Sequence, residues 1–256
     1  MIRKNHLFII ALFAALAGAV SFVIVHRRVP VLRSAKQCEL SGNLEQAHSL
    51  YTAALFELTP SIELPDINRS KILSPAALKK EVEKYFIWLN NPAENSRTHY
   101  LAALSGMSRC EGKNRHDNTI SEPVVTPLSP EAYLVEWNKT FFAPTVAADP
   151  SHLALATGNY RRGLSLLIIK SSKNYTYEIN LIDKTTGRGT RALLLAENSV
   201  RLYARPGEHL LLCRSTVTFP SEKIWRSNYT PIPVTVPDTV SLMTFELRTS
   251  VYRNSH

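Results

Sequence analysis

Cysteine is scarce: Cys38, Cys110 and Cys213 are the only three in 256 residues. That is too few for a disulfide framework, and they stand too far apart for a CxxC-type metal site. They read as small, half-buried thiols, with a Cys38 to Cys110 bridge open only in an oxidising compartment. Catalytic signatures are missing as well. The chain has no Gly-x-Ser-x-Gly, no HExxH, no Ser-x-x-Lys backed by a second motif, no P-loop and no dinucleotide fingerprint. Its eight histidines never fall at metal-ligand spacing. The expectation is no metal, no cofactor and no catalytic residue, with binding favoured over chemistry. An enzyme of unrecognised class is the remaining alternative.

Nucleic acid is disfavoured too, although the formal charge is +9. Arg3, Lys4, Arg27, Arg28 and Arg33 flank one apolar segment, and setting them aside leaves 25 basic residues against 21 acidic ones, about +4. No arginine-rich run, zinc-finger spacing or aromatic ribonucleoprotein motif accompanies that ordinary solubility charge.

The apolar segment is Leu7–Val25, LFIIALFAALAGAVSFVIV, 19 residues without a charge or a proline. As a helix it covers ~28 Å, close to the ~30 Å of a hydrocarbon core. A cleaved signal is the alternative, since Ala17-Gly18-Ala19 offers small residues, but the run continues apolar to Val25. An uncleaved anchor in a lipid bilayer is expected. Positive charge on both flanks leaves orientation open, and the signal-anchor layout favours a body outside the cytoplasm, periplasmic or at the cell surface.

Pro30 ends any continuation of that segment. Residues 31–58 read as two helices joined at Ser41-Gly42-Asn43, with Leu44, Ala47, Tyr51, Ala54, Leu55 and Leu58 at helical spacing. Further on, Ser74-Pro75 starts a helix whose apolar face is Leu78, Val82, Tyr85, Phe86 and Leu89, and Asn91-Pro92 starts another. Tyr100, Ala103 and Leu104 repeat Tyr51, Ala54 and Leu55 at an offset of 49.

With Ala35, Gly42, Ala47, Tyr51, Ala54 and Pro60, residues about 28–61 resemble a tetratricopeptide repeat, with a weaker second copy after it. Val31 and Cys38 depart from the pattern where an aromatic is common. The resemblance implies a surface for a peptide or partner protein, with Tyr51 and Tyr100 as candidate contacts.

Residues 112–130, polar and holding Pro123, Pro127 and Pro130, read as a linker. After them the pattern alternates. Strands are expected at Ala132–Trp137, Leu164–Lys170, Thr176–Ile182, Arg191–Leu195, Val200–Ala204, His209–Arg214 and Ser241–Tyr252, with turns at 184–189 and 205–208. The stretch VRLYARPGEHLLLCRSTV looks like a hairpin of immunoglobulin-like or transthyretin-like modules.

The expected fold class is therefore α+β: residues 1–27 a tail and transmembrane helix, 28–111 a small helical-repeat region, 112–130 a linker, and 131–256 an antiparallel β-sandwich. Between Gly158 and Arg205, nine basic residues face three acidic ones. Arg161, Arg162, Arg188 and Arg191 are the candidate contacts there, for a protein partner or for an anionic envelope polymer or glycan. A membrane-anchored, extracytoplasmic interaction or scaffold protein of a cell-envelope assembly is the leading functional expectation, and a polymer- or glycan-binding module the second.

Overall fold

The computed structural model describes residues 30–65, 72–91, 97–110, 118–141, 150–172, 175–218, 224–226 and 229–249. The chain divides into two compact units, Met1–Leu58 with Ser96–Asn114, and Thr59–Asn95 with Arg115–His256.

The first unit is helical: α1 (30–40), α2 (Leu44–Leu58) and α4 (Arg97–Cys110), where α3 (Pro75–Asn90) belongs to the second unit. Gly42 sits at φ +79, and the N–H groups of Gly42 and Asn43 return to the carbonyls of Glu39 (3.1 Å) and Cys38 (2.9 Å). This left-handed stop closes α1 and satisfies two of its last carbonyls. Asn43 then opens α2, its Oδ1 accepting from the Gln46 N–H while its amide donates to Gln46 Oε1.

Helix α4 lies along α2. Tyr100, Ala103, Met107 and Cys110 form its buried stripe, and Gly106 admits the Tyr51 ring, which sits where a Cβ would stand. One brace joins all three helices: Tyr51 donates to Glu39 at 2.7 Å, and Arg109 donates to both oxygens of the same carboxylate. The Arg109 bonds, then that from Tyr51, hold the Glu39 carboxyl down at about 2. Its stabilisation is present above pH ~4.5 and lost as pH falls towards about 2. Glu39→Gln is expected to remove that acid-side slope in urea titrations between pH 2 and 5. An unchanged slope would assign it to other carboxylates.

The second unit is layered sheet, sheet, helix. In chain order it holds β1 (Ser61–Glu63), α3, β2 (Asn118–Ile120), β3 (Val124–Pro127), α5 (Pro130–Phe141) and α6 (Pro150–Arg161). Strands β4 (Ser165–Ser171), β5 (Thr176–Asp183), β6 (Gly189–Leu194), β7 (Ser199–Ala204), β8 (Gly207–Thr218), β9 (Ile224–Arg226), β10 (Thr230–Val236) and β11 (Ser241–Thr249) follow.

Sheet one runs β1-β6-β5-β8-β10 with β9 also on β8; sheet two runs β2-β11-β4-β7 with β3 also on β11. Alternate residues meet between the sheets: Leu167 and Ile169, Tyr177, Ile179 and Leu181, Leu211 and Cys213, Met243, Phe245 and Leu247. A buried polar chain also ties sheet to sheet. The Tyr177 hydroxyl pairs with Thr249 at 2.9 Å, Thr249 donates to Asn118 Oδ1, and Asn118 donates to Thr230 Oγ1. Against the other face of sheet two, α3, α5 and α6 pack Val82, Phe86, Tyr133, Trp137 and Phe141 onto Leu164, Leu166 and Tyr203.

Several expectations are corrected here. Among the described residues no helix is long and apolar enough to cross a membrane, and Leu7–Val25 lies outside those residues. The sandwich is not antiparallel: β1 runs parallel to β6, and β4 parallel to β11, so both sheets are mixed. Nor are helices and strands segregated along the chain. The expected second repeat is split, α3 going to the sheet-bearing unit and α4 to the helical one.

Ala132–Trp137, expected as a strand, is the middle of α5. Ser129 caps that helix through Oγ to the Ala132 N–H, Pro130 fills its first turn, and Tyr133, Trp137 and Phe141 repeat every four residues on its buried side. Residues 118–127, placed in the linker, pair with β11.

The Pro206-Gly207 turn is a corner and not a hairpin bend, since β7 pairs with β4 in sheet two while β8 pairs with β5 in sheet one. Cys38, Cys110 and Cys213 are free thiols.

Candidate functional site

The residues picked from sequence do not converge. Tyr51 and Tyr100 are buried in the helical unit, and Tyr51 is committed to the Glu39 brace. Arg161 and Arg162 are exposed at and just beyond the C-terminal end of α6. Arg188 lies over the Trp88 ring at 5.0 Å and donates to the Trp88 carbonyl at 3.1 Å.

Two neighbours in sequence are used alike: Arg205 donates to the Leu89 carbonyl at 3.0 Å and Arg201 to the Lys139 carbonyl at 3.3 Å. The last carbonyls of a helix lack intrahelical donors and carry the negative end of its dipole. Arg188 and Arg205 therefore close α3, and Arg201 serves the last turn of α5. Much of the basic excess between 158 and 205 is spent on helix ends.

Arg191 has a different setting, at the end of the β1–β6 pairing. Strand β1 pairs with β6 only from Gly189 to Arg191. The Gly189 N–H donates to the Pro60 carbonyl at 3.0 Å, and the Arg191 carbonyl accepts from the Leu64 N–H at 3.2 Å. Since backbone groups repeat every two residues in a strand, those of Leu193 also face away from β5. No described residue pairs with them, because β1 ends where Leu64 turns in to pack against both cores.

The side chains at this edge are apolar: Leu193 is 60 % exposed and Leu195 49 %. Directly across from Leu193 on the outer face stands Glu178, which accepts from Arg214 and, at 3.4 Å, from the Tyr229 hydroxyl. The Arg214 guanidinium covers the Tyr229 ring at 4.4 Å, and burial raises the Tyr229 phenol above its ordinary range. The edge thus presents a strand rim, two leucines, and two arginines against one glutamate.

Prolines guard the outer sides of β10 and β3. Pro231 and Pro233 stand two apart on β10, so their missing donors share the side away from β8, and by register Pro127 does the same for β3. A run of Ala192-Leu193-Leu194-Leu195 breaks strict alternation, and that is the signal that both faces of β6 are apolar at this end.

A second feature is a recess of about 310 Å³, open solvent included, between the end of α3 and strands β5 to β8. His209, Arg188, Arg205, Asp183 and Trp88 are among its lining residues. Burial keeps the His209 ring below its ordinary pKa, that is, neutral. Asp183 is turned to its own hairpin, its Oδ1 accepting from the Thr185 N–H (2.7 Å) and the Thr186 N–H (3.1 Å). Comparison of the chain with protein-family models, with curated proteins and with solved structures finds no match, so its functional reading rests on its own residues.

Proposed function

We propose that this protein is a binding protein that docks an extended segment of a partner protein on the open edge of β6, working at a membrane with its folded body outside the cytoplasm. The observation that carries the docking is the rim at Leu193, with which no described residue pairs. A strand laid there continues the line that β1 leaves, gaining main-chain hydrogen bonds and covering Leu193 and Leu195. Arg191 and Arg214 favour an acidic residue beside the apolar one. The membrane location is supported by the apolar composition of Leu7–Val25. The resemblance of residues 28–61 to a tetratricopeptide repeat supports protein binding in general. The polymer-binding alternative has less to rest on, since Arg188 and Arg201 donate to helix-end carbonyls within the fold.

The test is site-specific photocrosslinking in native membranes, with the crosslinker at Leu193, at Leu195 and, as a control, at Val135, which is 53 % exposed on α5. One discrete protein adduct is expected at 193 and 195, absent at 135 and lost in Leu193→Glu. That substitution, on an exposed side chain, should leave stability within about 0.5 kcal/mol. No adduct at 193, or the same adducts at 135, sinks the proposal. A reporter fused after His256 tests the location, and cytoplasmic activity removes that part.

A further inference from the structure

Beyond protein docking, we infer that the recess at the end of α3 binds a small oxyanion of the phosphate class, one able to donate a hydrogen bond as well as accept several. His209 carries the first part of the argument. It is 3 % exposed and lines the recess. Its Nδ1 lies 3.1 Å from the Gly207 carbonyl, which only accepts, so Nδ1 holds the proton and Nε2 is a bare acceptor. Among the described residues no hydrogen bond reaches Nε2. Lining the recess, this acceptor stands available to a donor from a ligand.

The surrounding charge selects which donor. Arg188 is held by the Trp88 ring and carbonyl, and Arg205 by the Leu89 carbonyl through one of its five N–H groups. Against these two fixed cations the lining holds one carboxylate, Asp183, already occupied by its hairpin amides. An ammonium donor is disfavoured there. Monohydrogen phosphate, or a phosphomonoester bearing one proton, offers a hydroxyl to Nε2 and charged oxygens to Arg205. Sulfate has the charge and shape but no proton at neutral pH, so it binds only with an imidazolium, which burial opposes. The site therefore distinguishes two anions of nearly equal size by one hydrogen bond.

The experiment uses the full chain in zwitterionic detergent, with ring-15N histidine, titrated at pH 7.5 and constant ionic strength with inorganic phosphate and separately with sulfate. A saturable shift of the His209 Nε2 resonance with phosphate is expected, at an affinity at least about tenfold above that for sulfate. His209→Asn keeps a donor for the Gly207 carbonyl and lacks the second nitrogen. It should stay folded, lose about tenfold in phosphate affinity and no longer discriminate between the anions. Arg205→Lys, which retains the charge, should weaken both anions together.

A further arm compares free phosphate with vesicles containing phosphatidic acid. Vesicle retention lost in His209→Asn assigns the phosphate to a lipid headgroup, and response to the free ion alone assigns it to a soluble ligand. Absence of a saturable His209 response in both arms, or sulfate binding as tight as phosphate, overturns the inference.

Discussion

Replacing Trp137 by alanine is expected to cost the sheet-bearing unit about 3–5 kcal/mol and to lower its Tm by about 10 °C. Trp137 is 1 % exposed and stands among rings from three elements: Phe86 of α3 at 4.6 Å between centroids, Phe141 of its own helix at 5.3 Å and Tyr203 of β7 at 5.5 Å. Phe86 also meets Tyr203 edge-on at 5.1 Å, so the neighbours brace one another. A cavity lined by rigid rings on separately anchored elements has little freedom to collapse, which places the loss at the high end for core truncations. Val135→Ala, two residues away on the exposed side of α5, should change stability by less than about 0.5 kcal/mol. Thermal unfolding followed by circular dichroism measures both. A loss below about 1 kcal/mol for Trp137→Ala would show that the helices do not rest on sheet two through this cluster.

Gly106→Ala should destabilise the helical unit by about 2–3 kcal/mol, whereas Gly158→Ala should stabilise the sheet-bearing unit by about 0.5–1 kcal/mol. Both glycines lie inside helices, and on propensity alone each change is favourable. At Gly158 an added Cβ meets nothing within 4 Å. At Gly106 it falls 2.3 Å from Tyr51 Cζ and 2.4 Å from Cε1. The ring is buried, and its hydroxyl is tied to Glu39. Relief requires α4 to move off α2 or Tyr51 to abandon its bond to the Glu39–Arg109 pair. Urea denaturation of the two variants gives the signs, and a Gly106→Ala as stable as the parent would mean that the α2–α4 approach is looser than the Tyr51–Gly106 contact requires.

Much of the local structure was legible in the chain, because it depends on neighbours in sequence. The Gly42 stop, the Ser74-Pro75 start, in which Ser74 Oγ accepts from the Ala77 N–H at 3.3 Å, and the strands around 165–171, 176–183 and 199–204 all follow from caps, turns and alternation. Strand β10 is masked in the sequence for an equally local reason. Pro231 and Pro233 argue against any strand unless their missing N–H groups face away from the sheet, and only an edge position permits that. Helix α6 gives little sequence signal because just His152, Ala156 and Asn159 are buried on it, a stripe with a single hydrophobic residue.

The candidate sites were less legible. Arg188 and Arg205 read as a basic surface until the end of α3 lies against them, and nothing near Leu193 in sequence announces that β1 stops two residues short of it. His209 carries no motif around it, and its surroundings are set by a carbonyl two residues away and by side chains of α3 and other strands. By itself the sequence determined the apolar character of Leu7–Val25, the helical start of the body and most strand positions, since these rest on composition and on contacts within a few residues. Tertiary structure alone decided that helix α4 returns to α2, that α3, α5 and α6 cover a mixed sheet, which arginines are spent on helix ends, and where the pairing of β1 with β6 stops. Those outcomes are set by which surfaces meet across separations from several tens of residues to more than a hundred, and sequence spacing carries no record of that.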